Sequence, residues 1–135
     1  MSISLHAFES GAVDNAHFHH VDHLRVAYEL ASHEPFDLAL GRFMRGLRRI
    51  AAAAGDPSKV HMTISVAFLA AIAEREARDP ARSWEEFRDR NPELNEKTFL
   101  GRWYSPEELE SNVARRAFLL PRFHHTNTPI LQEPR

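Results

Sequence analysis

VHMTISVAFLAAIA, residues 60–73, carries a single titratable side chain, His61. Val60, Met62, Ile64, Val66 and every residue from Ala67 to Ala73 are apolar, and charge returns only at Glu74. A helix apolar on nearly every face belongs at the buried centre of a bundle. Asp56-Pro57 upstream supplies an N-cap and a first-turn proline, so the pattern predicts a helix from there to about Arg78. Read outward from this segment, the chain stays helical. Phe36, Leu40, Phe43, Leu47 and Ile50 recur at helical spacing, predicting a helix over 36–54 with Gly55 as its C′ residue. Asp14 caps a first helix that runs to about His33 and is stopped at Pro35. Downstream, Ser83-Trp84-Glu85-Glu86 opens a short helix that Asn91-Pro92 ends. Ser105-Pro106-Glu107-Glu108 opens a final helix expected to reach about Leu120, before Pro121. No segment reads as a strand. The expectation is one all-α domain over 1–135, a bundle of five to six helices around the central third one. Residues 1–13 and 121–135 are expected to be irregular tails.

Composition narrows the function. A chain of 135 residues holds one domain by default and can bury a core without covalent staples. Its formal net charge of −2 provides no field favouring nucleic acid or anionic lipid. The local cluster Arg42, Arg45, Arg48 and Arg49 has the spacing of a solvated helix face. With no cysteine, thiolate ligands, disulfides and cysteine nucleophiles are excluded. A transition metal would have to use imidazole, carboxylate or water. No signal-peptide pattern opens the sequence and no apolar run reaches the roughly 20 residues of a membrane span, so a cytoplasmic protein is expected. No Gly-rich phosphate loop, nucleophile elbow or basic-aromatic nucleic-acid motif is present.

HFHHVDHLR, residues 17–25, is the densest chemistry in the chain, with four histidines in nine positions. On a helix turning roughly 100° per residue, His20 and His23 share a stripe with Leu24, Ala27 and Ala31, while Asp22, Arg25 and Glu29 lie opposite. Two imidazoles at i and i+3 on a core-facing stripe need partners. A shared cation is one solution, because neutral imidazole is the commonest metal ligand. Polar-core or acid/base histidines are the other. His61, in an otherwise apolar helix, is a third imidazole that could converge with them. Three imidazoles with an open position is the pattern of a catalytic metal site. Thr63 and Ser65 are candidates for hydrogen bonds to the ligand imidazoles or to bound water, or for bonds back to the preceding turn. Asp22 and Arg25 either pair with each other or meet Arg115 and Arg116 of the final helix. His124 and His125 are either solvated or part of a lid. Neither the HExxH nor the Glu-x-x-His metal motif occurs in a helix interior.

At FHHVDHLR and VHMTIS the chain resembles a group of short bacterial proteins of unestablished chemistry. That group has F-x-H-x-D-H-L-R, then Y-H-E-T-I-T about 40 residues on, a W-x-x-F-x-x-x-N-P stretch and a final A-R-R-x-F-x-x-P. Phe18, His20, Asp22, His23, Leu24 and Arg25 match the first element. His61, Thr63 and Ile64 match the second, and Trp84, Phe87, Asn91 and Pro92 the third. Ala114, Arg115, Arg116, Phe118 and Pro121 are similar to the last. The resemblance spans nearly the whole chain and implies that His20, His23 and His61 belong together. Val60 stands where the group has tyrosine and Met62 where it has glutamate, which points to altered chemistry or a non-catalytic role if that glutamate is a ligand or base.

The leading expectation is a small metal-dependent oxidase or oxygenase acting on a small molecule. Its ligands would be His20, His23 and His61, with iron or copper ahead of zinc. The alternatives are a metal-free isomerase or cyclase with a histidine base, and a non-catalytic helical module. The expected partner is a small-molecule substrate, with neither nucleic acid nor membrane; a homodimer is compatible with the sequence.

Overall fold

A computed structural model gives the fold over residues 4–96 and 98–122. The chain is an all-α bundle, with seven α-helices and four short 3-10 turns among the described residues. In order, α1 is Leu5–Ser10, α2 His20–His33, α3 Phe36–Ala53, α4 Met62–Arg78, α5 Trp84–Arg90, α6 Pro106–Glu110 and α7 Asn112–Arg116. No helix among the described residues is long and apolar enough to cross a membrane.

The boundaries follow local chemistry. Pro35, at φ −60°, ends α2 and opens α3. At the far end of α3, Gly55 adopts φ 90°, a left-handed value that glycine adopts without strain. There the Gly55 and Asp56 amides donate to the Ala52 and Ala51 carbonyls, at 2.9 and 3.0 Å, closing the helix end. α6 opens with the reciprocal Ser105–Glu108 capping box.

Four expectations need correction. Of the two segments expected to be irregular tails, 1–13 contains a helix, Leu5–Ser10, while 123–135 lie outside the described residues. Ser4 caps α1 by accepting the Ala7 amide, and Phe8, fully buried, pins that helix to the core. The first long helix is broken. Asp14 caps only a 3-10 turn over Asn15–His17, Phe18 is extended, and α2 starts at His20. Phe18 leaves the helical path to stack on Phe8, ring centroids 5.6 Å apart, and packing there outweighs propensity. Asp56-Pro57 caps another 3-10 turn, Pro57–Lys59, and α4 takes His61 as its N-cap. The final helix divides at Ser111, where the backbone is extended, and ends at Arg116.

α4 packs along α2 more extensively than any other pair of elements, and it also meets α3, α7 and the 3-10 turn Phe99–Arg102. Leu69 and Ile72 of α4 are fully buried, as are Val26 and Leu30 of α2. Each such side chain contributes on the order of 1.5–3 kcal/mol by leaving water. Two aromatic groups brace α2. Phe8, Phe18 and Phe43 stack at its N-terminal end, and Tyr28, Trp84 and Phe87 pack further along. Arg42 ties α1 to α3 through a two-pronged bond to Glu9, both contacts 2.6 Å, and reaches Glu34 at 2.9 Å. The same guanidinium holds the Glu9 carboxyl below its usual range.

Candidate active site

The N-terminal halves of α2 and α4 stand side by side, and α3 closes the space between them. They line a half-open cavity of about 330 Å³. α2 contributes His20, His23, Leu24 and Ala27, and α3 contributes Phe43, Leu47, Ile50 and Ala51. His61, Ile64, Ser65 and Phe68 face it from the opening of α4, with Lys59 and Val60 just before them and Asn15 and Phe18 ahead of α2. The i, i+3, i+4, i+7 stripe read from the sequence of α2 is therefore the cavity wall, but only Leu24 and Ala27 of it are buried: His23 is half-buried and His20 is exposed, so the two imidazoles stand at the cavity rather than in the core.

The three cavity histidines are not equivalent. His61 is held at both ring nitrogens. Its Nδ1 accepts the Ile64 amide at 3.1 Å, and its Nε2–H donates to the Leu109 carbonyl at 2.6 Å. That fixes a neutral tautomer and leaves no lone pair for a metal or a substrate. His20 donates Nε2–H to the Leu94 carbonyl at 3.1 Å, so Nδ1 keeps its lone pair. Its ring meets Phe68 edge-on, with centroids 5.0 Å apart. His23 donates Nδ1–H to the His19 carbonyl at 3.1 Å, so Nε2 keeps its lone pair, and its ring lies 4.2 Å from that of Phe18. Burial pushes the His23 pKa below 6.5, and neighbouring His20 pushes the same way. The hydrogen bond to His19 and the charge of Asp22 oppose the shift without cancelling it. His23 is thus a neutral base at pH 7.

The other expected participants have structural work. Thr63 is fully buried, but it neither supports the histidines nor bonds back to its own turn. Its hydroxyl donates to the Ala117 carbonyl and accepts the Leu119 amide, both at 2.9 Å, anchoring the chain that follows α7. Ser65 does line the cavity, and its hydroxyl has no protein hydrogen-bond partner among the described residues. Asp22 caps α2 by accepting the His19 amide at 2.9 Å. Arg25 pairs with Glu29 at 3.7 Å, and among the described residues neither an Asp22–Arg25 pair nor a link from either to Arg115 or Arg116 is present. His17 pairs with Asp14 at 3.2 Å outside the cavity. His124 and His125 lie outside the described residues.

Lys59 and Asn15 were not singled out by sequence reasoning. Lys59 carries a signal in hindsight, being one of two lysines in a chain that otherwise uses arginine, two positions before His61. Among the described residues, no group of three His, Asp or Glu side chains is placed to hold a metal ion. No protein-family model, curated protein or solved structure matches the chain.

Proposed function

We propose that this chain is a small enzyme that moves a proton within a bound organic molecule, an isomerase or cyclase with His23 as general base. One observation carries the reading. His23 lines an apolar cavity and keeps a lone pair at Nε2, with its tautomer set by the His19 carbonyl and its neutral form favoured by burial. In the reaction, a substrate C–H or O–H bond breaks as an N–H bond forms at Nε2. The electron pair stays in the substrate, conjugated with an unsaturated group. The same proton then returns to a different substrate atom, so no co-reactant is consumed. The His19 carbonyl and the Asp22 carboxylate favour the transient imidazolium. The walls formed by Leu24, Phe43 and Leu47 limit access of water.

The metal-dependent reading retains one specific support. His20 and His23 each give one ring N–H to a backbone carbonyl and keep the other nitrogen unprotonated, which is how ligating imidazoles are oriented. Among the described residues, two imidazoles with no carboxylate fall one short of the three protein ligands usual in catalytic zinc sites. If a metal is held, iron or copper precedes zinc, and His20 and His23 are the ligands, without His61.

One experiment separates the readings. Untagged protein treated with a chelator is incubated in D₂O with a set of small carbon acids, and deuterium incorporation is followed by NMR. Exchange that survives chelation, rises through an apparent pKa below 6.5 and falls about 10²-fold or more in His23→Ala supports the base. Exchange lost on chelation, together with near-stoichiometric metal by mass spectrometry that disappears in His20→Ala and His23→Ala, overturns it in favour of a metal site.

A further inference from the structure

The charges around the cavity identify the class of ligand, an inference that rests on the cavity being a binding site. Nineteen acidic residues outnumber seventeen basic ones in the chain, yet among the described residues no carboxylate lines the cavity. Its one formally charged side chain among the described residues is Lys59, at the end of the Pro57–Lys59 turn. Lys59 is exposed and, among the described residues, makes neither an ion pair nor a side-chain hydrogen bond. A cationic ligand would meet no counter-charge here, whereas a single anionic group would meet one.

The remaining polar groups narrow the choice. His20 Nδ1 and His23 Nε2 present lone pairs, which repel carboxylate oxygens and accept donor hydrogens. The anionic end of a ligand is therefore excluded from the two imidazoles and drawn to Lys59, while its body supplies a donor to them. That body rests on Phe18, Phe43, Leu47, Ile50 and Phe68. A volume near 330 Å³ lies at the small end of the roughly 300–1,000 Å³ of ligand sites, so the body is one ring or a short branched chain. One cation balances one charge, which disfavours a phosphate dianion.

We propose that the cavity takes a small aromatic or branched monocarboxylate bearing an acidic O–H or C–H, held by Lys59 at its carboxylate and by His20 and His23 at its donor. The test compares three probes of nearly one shape: 4-hydroxyphenylacetate, its neutral amide and tyramine. Binding is followed by NMR shifts of the wild-type protein and of Lys59→Met, an exposed position whose replacement leaves the core intact. The acid should shift His20, His23 and Phe68 signals and bind at least tenfold tighter than the amide, with tyramine weakest. Lys59→Met should bring acid and amide to parity. An amide or amine that binds in the cavity as tightly as the acid, or an acid preference that persists in Lys59→Met, overturns the anion assignment and leaves the cavity as a ligand site. No shift at these residues with any probe overturns both.

Discussion

α2 has a hollow on each side, and they are built on opposite plans. The one beside His20 and His23 is walled by apolar side chains and, among the described residues, holds one cation, no acid and two imidazoles that each keep one ring nitrogen outside their backbone hydrogen bond. The other, about 410 Å³, is lined by Arg25, Glu29, Glu76, Arg82 and Glu85 among others. It is the more polar of the two, and its groups are largely engaged with one another. Arg25 faces Glu29 at 3.7 Å, Tyr28 donates to the Ala81 carbonyl at 3.3 Å, and Glu76 accepts the Ala81 amide at 3.0 Å. His33 gives its Nδ1–H to the Glu29 carbonyl at 2.8 Å. A polar group already satisfied by its neighbours has little left for a ligand. The contrast teaches that binding capacity lies in polar atoms left unpaired beside apolar walls, not in the number of polar atoms.

Substitutions can break this contrast or sharpen it. The largest effect is expected behind the apolar hollow. A Cβ at Gly46 would fall inside the van der Waals envelope of the Phe8 ring, which backs the cavity residues Phe18 and Phe43. Gly46→Ala should cost about 1–3 kcal/mol in urea denaturation and weaken ligand binding, because the aromatic stack must shift. A variant of unchanged midpoint would mean that the stack yields freely.

Ala27 is next. It is buried at the cavity wall, so Ala27→Leu should fill the space. The expected result is a gain of about 0.5–2 kcal/mol with loss of binding. Lower stability with binding retained would show that the hollow is not open to a side chain.

Acid should separate the two sides of α2 further. The folded-state pKa of His23 lies below its ordinary 6.5, so the unfolded chain takes up that proton first. The stability contributed by neutral His23 is complete above 6.5 and is lost as pH falls from there towards the folded pKa. The lowered Glu9 and Glu93 carboxyls act only below 4.5, which leaves a window in which His23 can be read. In denaturation series from pH 7.5 to 5, His23→Gln should flatten the slope of stability against pH, and an unchanged slope would refute the burial argument. The smallest effect belongs to the polar hollow. Arg82, 93% exposed and 3.7 Å from Glu86, should cost less than about 1 kcal/mol when replaced by alanine, with ligand binding unaffected.

Much of the scaffold was legible in the sequence, because α3 and α4 have long hydrophobic periods and a glycine or charged residues at their ends. The misreadings came where a tertiary contact outweighed a local signal. On the helix read from the sequence, Phe18 falls on the outward side with Asp22 and Arg25; in the structure its place between Phe8 and His23 pulls it out of the helix and into the core. His61 is not among the favoured N-cap residues, so Asp56-Pro57 drew the helix start five residues too early. The pairing of His20 and His23 was readable from the faces of one helix; that His61 joins them depended on how two helices pack, which spacing does not fix. The state of their ring nitrogens was not readable either. Leu94 and Leu109 accept from them through backbone carbonyls 74 and 48 residues away, and a carbonyl's position leaves no trace in side-chain identity.

His61 carries a consequence of its own. Its ring is a short rod with an acceptor on one edge and a donor on the other, bridging the first turn of α4 to the end of α6. Serine or aspartate could cap α4 but could not reach the Leu109 carbonyl at the same time, and asparagine has both functions at one tip. Fluctuations of the two helices are therefore linked through a single side chain. In amide hydrogen exchange, the Ile64 N–H should become labile on the same timescale as the opening of α6, so the rim of the cavity and a helix beyond it would breathe together.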